Sequence, residues 1–364
     1  MANTSSIPNS ALYRTIHRQP EIISDILERC SEEARQAANL VAGARRVYLA
    51  GTGTSSHAAV VGEHLLRSVG VDAYATTNFD LVSYPRPFGP EDVLIAISHR
   101  GSKQYGKAAI ALAKETGARV IGLTGIGSPM EGPAVILQTA PSEESSTHTA
   151  SYIGNLTGLA MIACAVGAPG SASRTALLDG LARLPDVMRE LLDREDGVRP
   201  AAAALAARGR LVLAGAGPNA VTAREGALKV KESSFLVAEG FELETILHGG
   251  LQPLEVGDVA VVVLANGPAV ERSLAVVKAL DMIGARVLVV ADAAVAARVP
   301  AVEGSAYEGR VVTFPSLPEV LSPLAAVVPL QLLAAFTADL RGTNADAFRA
   351  DDPVYKAANA SYAL

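Results

Sequence analysis

Apolar residues along this chain fall into short runs and helical stripes that alternate. Ile22, Ile23, Ile26 and Leu27 recur at helix spacing and predict a helical lead-in over residues 20–42. The apolar run at 47–50 predicts a strand, GTGTSS at 51–56 a turn, and the stretch to about Val69 an amphipathic helix. Further strands are expected at 72–76, at 93–97 and within ARVIGLTG at 118–125, with a Ser98-His99-Arg100-Gly101-Ser102 turn and another helix following the strand at 93–97. Strand followed by helix, over and over, is the pattern of a parallel doubly wound α/β sheet.

The second half restarts the pattern. RLVLAGAGPNA (210–220) matches RVYLAGTGTSS (46–56), DVAVVVLANG (258–267) matches DVLIAISHRG (92–101), and ARVLVVAD (285–292) matches ARVIGLTG (118–125), at offsets of 164, 166 and 167 residues. Three motifs in one order at a near-constant offset predict a tandem duplication. The expected division is a helical lead-in 1–35, a first α/β domain 36–170, a helical connector 171–204, a second domain 205–340 and a tail 341–364. The most apolar segment, Leu321 to Phe336, is broken by Pro323 and Pro329 and reads as a core helix too short to span a bilayer.

Composition narrows the class. Hydrophobic residues make up 49% and aromatics 4%, with no Trp, so the core must be built mainly from Ala, Val and Leu. A net charge of −6 without a Lys/Arg run argues against nucleic acid as a partner. Cys30 and Cys164 are the only cysteines and suit idle thiols in a reducing compartment. The opening MANTSSIPNS lacks the charged and apolar regions of a signal peptide, so a cytoplasmic chain without membrane partners is expected.

In doubly wound sheets the ligand lies beyond the carboxyl ends of the strands, facing turn N–H groups and helix N-termini. The first copy offers hydroxyls and cations there, Gly51-Thr52-Gly53-Thr54-Ser55-Ser56 and Ser98-His99-Arg100-Gly101-Ser102-Lys103. The second offers Gly215-Ala216-Gly217-Pro218-Asn219 and Ala265-Asn266-Gly267, which are poorer in hydroxyls. An anion pocket is therefore expected in the first copy and the reactive groups in the second. Glu225, Lys229 and Glu232 stand at i, i+4 and i+7 on one face of a helix, and His248 follows within one more helix-and-loop span. The row reads either as a solvated salt-bridge face or as the base and cation of a proton-transfer site. Ser56 replaces the third Gly or Ala of a dinucleotide fingerprint, no Walker lysine is present, and the six histidines make no metal signature, so no cofactor or metal is expected.

GTGTSSHA, ISHRGS, EGALKVKESS and VVPLQLLA, in that order, resemble the sugar isomerase (SIS) family, from Ile16-His17-Arg18-Gln19-Pro20 to the tail. The resemblance implies two tandem α/β/α three-layer domains with flavodoxin-like parallel sheets, and a C-terminal tail over the active site. It implies that Thr54, Ser55 and Ser98 line the phosphate pocket, and Gly53, His99, Arg100, Ser102, Lys103, His148 and Thr149 are further candidates for binding the substrate. It implies that Glu232 moves a proton between C2 and C1, that His248 opens and closes the sugar ring, that Glu225 and Lys229 support them, and that Lys356 covers the substrate. A homodimer with shared active sites is implied as well.

Departures from the family pattern are specific. His99, Arg100 and Lys103 stand where the family has Gln, Ser and Thr; the histidine loop reads Leu247-His248-Gly249-Gly250 rather than Lys-His-Gly-Pro; and Lys356 follows Pro353 by three residues instead of five. Arg suits forked contact with an oxyanion. Family members that draw ammonia from glutamine carry a glutaminase domain with a cysteine after the initiator Met, whereas residue 2 here is Ala, so no glutaminase of its own is expected. The function expected is aldose–ketose isomerisation or deamination of a hexose or aminohexose 6-phosphate. The alternatives are isomerisation of a sulfonated or differently phosphorylated sugar, and a non-catalytic sugar-phosphate sensor. Retention of Glu232 with His248, and the absence of a helix-turn-helix or basic region, favours an enzyme.

Overall fold

The computed structural model describes residues 10–300 and 310–362. Three helices come first, α1 (Ala11–His17), α2 (Gln19–Arg29) and α3 (Ser31–Ala42), where one lead-in was expected. Then follow β1 (Arg46–Gly51), α4 (Thr54–Ser68), β2 (Ala73–Thr77), α5 (Asn78–Ser83), β3 (Asp92–Ile97), α6 (Gln104–Glu115), β4 (Arg119–Thr124), β5 (Val135–Gln138) and α7 (Ala150–Val166). The connector folds as α8 (Ala172–Leu192) and α9 (Arg199–Arg208). After it come β6 (Arg210–Gly215), α10 (Pro218–Ser234), β7 (Val237–Glu242), β8 (Val259–Leu264), α11 (Val270–Ile283), β9 (Arg286–Asp292), α12 (Ala293–Ala296), β10 (Val311–Phe314), α13 (Ser322–Arg341) and α14 (Pro353–Ala360).

The chain divides into two compact units. The N-terminal unit comprises Gln19–Glu143, Ala150–Pro185 and the residues after Arg349; the C-terminal unit comprises those up to Arg18, Glu144–Thr149 and Asp186–Arg349. The N-terminal unit's sheet is parallel with the order β2-β1-β3-β4-β5. Tyr48, Ala50, Leu94, Ala96 and Val120 pack one face against α5 and α6, while Leu49 meets Gly62 of α4 on the other. The C-terminal unit repeats the order as β7-β6-β8-β9-β10, again parallel. Val212, Ala214, Val262 and Val289 face α11, and Leu213 faces α10. Strands buried on both faces read as unbroken apolar runs, which is why β1, β3, β6 and β8 stand out in the sequence.

Two expectations are corrected. Pro323 and Pro329 do not break the apolar segment: α13 runs unbroken over 20 residues, with Pro323 in its first turn, where the missing N–H is harmless. By length and composition α13 is apolar enough to cross a membrane, but 89% of its most apolar window is buried inside the protein, as a core helix requires. The second correction concerns the residues before His248. Val237–Glu242 form strand β7, paired in register with β6, and a single 3-10 turn, Thr245–Leu247, leads to His248, in place of a further α-helix.

Candidate active site

Both copies build the same strand-to-helix turn, and the glycines say why. A Cβ on Gly51 would lie 2.4 Å from the Ser55 carbonyl carbon, and one on Gly215 would lie 2.2 Å from the Asn219 oxygen, so each helix can begin this close to its strand only over a glycine. Gly53 (φ 59°) and Gly217 (φ 51°) precede α4 and α10 in the left-handed region that glycine tolerates. Further along, a Cβ on Gly62 would meet Leu49 and Leu159, and one on Gly226 would meet Leu213 and Leu330. Gly51, Gly53, Gly62 and Leu49 thus correspond to Gly215, Gly217, Gly226 and Leu213 at the single offset of 164.

In the N-terminal unit the two turns at the β1/β3 switch point stay polar. Thr54 and Ser55 occupy the half-buried first turn of α4 beside the exposed Gly53. Ser98, half-buried at the end of β3, accepts the Gly101 N–H on its hydroxyl at 3.2 Å, which shapes the Ser98–Lys103 turn. Arg100 and Ser102 are exposed. Burial, with the Arg100 charge adding to it and Glu143 opposing it, holds His99 below the ordinary histidine range. Burial and then Arg100 lower Lys103 as well. Asn78, a buried side chain that sequence reasoning missed, donates from Nδ2 to Thr52 Oγ1 at 3.3 Å and ties α5 to the first turn.

The equivalent place in the C-terminal unit is filled by protein. Asn219 donates to Ser322 Oγ at 2.7 Å, and the Glu319 carboxylate presses against Gly267 so closely that a Cβ there would lie 2.5 Å from it. Burial raises the Glu319 carboxyl above the ordinary range.

The row on α10 is not a solvated face. Lys229 Nζ lies 3.3 Å from Glu225 Oε1 and 2.6 Å from Glu232 Oε2, and it donates to the His148 carbonyl at 2.9 Å. Side-chain exposure is 0% for Glu225, 1% for Lys229 and 20% for Glu232, so Glu232 alone of the three keeps part of its side chain accessible. At the offset of 164 the same positions in α4 are Val61, Leu65 and Ser68, of which Val61 and Leu65 are ordinary core. A buried ion row where the duplicate has aliphatic side chains is not required by the scaffold.

The remaining candidates are placed as follows. His148 is half-buried and Thr149 buried, both on the short segment Glu144–Thr149 of the C-terminal unit. His248 lies on a turn after β7 with 75% of its side chain exposed, and its ion-pair partner is Glu244 at 3.5 Å, not Glu232. Lys356 is exposed on α14, a helix that buries none of its residues. Cys30 and Cys164 are free and buried, and burial pushes the Cys164 thiol up to about 11.

These features define a duplicated α/β scaffold of two like parallel sheets, and residues 40–167 match the family model for the SIS domain. The chain resembles glutamine–fructose-6-phosphate aminotransferase (isomerizing). It is 29% identical to the Thermococcus kodakarensis protein of that name over 355 residues, which cover 95% of this chain and 58% of the relative, so the chain spans little more than half of that protein. Among solved structures, the C-terminal domain of glucosamine-fructose-6-phosphate aminotransferase from Francisella tularensis superposes with a TM-score of 0.83 at 18% identity, covering 93% of this chain and 98% of that one. Glucosamine-6-phosphate deaminase from Thermotoga maritima gives a TM-score of 0.71 at 19% identity, covering 93% and 97%. At these identities the structures speak for the fold alone.

Proposed function

We propose that the chain moves a proton between C1 and C2 of a hexose or aminohexose 6-phosphate, as an aldose–ketose isomerase or an aminosugar-phosphate deaminase. The observation that carries the reading is the α10 row, in which one glutamate side chain stays partly accessible while a buried ammonium 2.6 Å from its carboxylate fixes its position. Proton transfer alpha to a carbonyl needs a positioned carboxylate of this kind and contributes roughly 10²–10⁴-fold. Glu232 is the base, and Lys229 and Glu225 hold it. Thr54, Ser55 and Ser98 supply hydroxyls for the phosphate, helped by the N-terminus of α4. His248 serves ring opening in a neighbouring copy of a homodimer, a role that its exposure suits. Lys356 covers the substrate.

The names of the relatives support this reading. Thermococcus kodakarensis glutamine–fructose-6-phosphate aminotransferase and Thermotoga maritima glucosamine-6-phosphate deaminase are both named for six-carbon sugar phosphates. A sulfonated or differently phosphorylated sugar is a second reading, favoured by Arg100 and Lys103, whose charges interact at one turn.

Deuterium exchange followed by NMR tests the proposal. In deuterated water the protein should place deuterium at C1 or C2 of fructose 6-phosphate or glucosamine 6-phosphate, and Glu232→Gln should abolish exchange while Kd survives. Binding without exchange of either sugar identifies a sensor. Exchange confined to a sulfonated analogue selects the second reading.

A further inference from the structure

We infer that Asp346, distant in sequence from α10, is a positioning residue for the Lys229–Glu232 pair; the inference rests on the proton-transfer reading above. The Asp346 carboxylate accepts the Ala11 and Leu12 N–H groups, each at 2.8 Å, and so caps the N-terminus of α1. Its backbone carbonyl accepts the Ser146 N–H at 2.8 Å. The carbonyl of the preceding Ala345 accepts the Thr147 hydroxyl at 2.8 Å and the Ser145 hydroxyl at 3.3 Å. Residues 145–147 are thereby held by the 345–346 backbone, and Ser145, Thr147 and Ala345 are buried. The next residue is His148, whose carbonyl accepts from Lys229 Nζ.

One continuous route therefore runs from Asp346, through three hydrogen bonds to the short segment, to the carbonyl that shares the Lys229 ammonium with Glu232. An ammonium has three donors, and a fixed carbonyl takes one of them away from the carboxylates. If the segment relaxes, Lys229 turns toward Glu225 and Glu232 alone and grips the base harder. The step that suffers is proton transfer, because none of the hydroxyls assigned to the phosphate is touched.

The test uses the full chain, fructose 6-phosphate and glucosamine 6-phosphate, with exchange at saturation read by NMR and Kd by calorimetry. Asp346→Ala should lower the exchange rate about ten- to hundred-fold, the scale expected when a reacting group is displaced by a fraction of an ångström to an ångström. Kd should not change, and Asp346→Asn, which retains one acceptor oxygen, should fall between. Thr147→Val, which removes one hydroxyl at constant shape, should lower exchange in the same way and decides the matter if Asp346→Ala does not fold. Unchanged exchange in these variants, or loss that appears only as weaker Kd, overturns the positioning role, while loss of exchange in Glu232→Gln leaves the catalytic reading standing. A wild-type protein that exchanges neither sugar overturns both.

Discussion

Lys229 is buried between two carboxylates at a position where the duplicated helix α4 carries Leu65. Taking ions out of water costs several kcal/mol each, recovered only when every partner is present. Removing one member should therefore hurt more than removing the pair. Lys229→Leu alone leaves Glu225 buried against Glu232 and should cost about 3–5 kcal/mol in urea unfolding. The double variant Glu225→Val with Lys229→Leu, which copies Val61 and Leu65, should recover near wild-type stability. Both should be inactive in exchange. A stable double variant that still exchanges would reduce the row to packing.

At the scale of elements, the two switch points have diverged: the one after β1 and β3 is lined by Thr54, Ser55 and Ser98, and the one after β6 and β8 holds Glu319. The raised Glu319 carboxyl sets the sign of a pH effect. A carboxyl whose folded value lies above its unfolded one stabilises the fold below the unfolded value, and that contribution is lost as pH rises through the folded value. Glu319→Gln should therefore raise Tm at pH 7, with the gain shrinking toward pH 4. A gain that grows on acidification would contradict the assignment. Element legibility followed burial in the same way. Central strands were plain from their apolar runs, whereas β5, β7 and β10 lie at sheet edges with mixed, half-exposed residues such as VAEGFE, and their pattern does not separate them from loop or helix. The prolines of α13 misled because tertiary burial, not local propensity, sustains that helix.

For the whole molecule, two copies of one sheet order carry different side chains. The spacing of Glu225, Lys229 and Glu232 was legible in the sequence, but their burial was not, since periodicity reports a shared face and not what covers it. The His148 carbonyl was invisible for a different reason: a backbone acceptor 81 residues from Lys229 leaves no residue-type signal. The proposed sharing of sites in a homodimer has its own test. Glu232→Gln and His248→Asn should each be inactive alone, and mixing them should restore roughly a quarter of wild-type activity, because half of the dimers are mixed and each regains one of two sites. No recovery on mixing would place His248 in its own subunit's site or outside the chemistry.

The most direct measurement follows a label from C2. With glucosamine 6-phosphate or glucose 6-phosphate deuterated at C2, the wild-type protein should release the label to water or deliver it to C1, and Glu232→Gln should leave it at C2 while binding the same ligand. Label that leaves C2 as fast in Glu232→Gln as in the wild type would show that another group moves the proton.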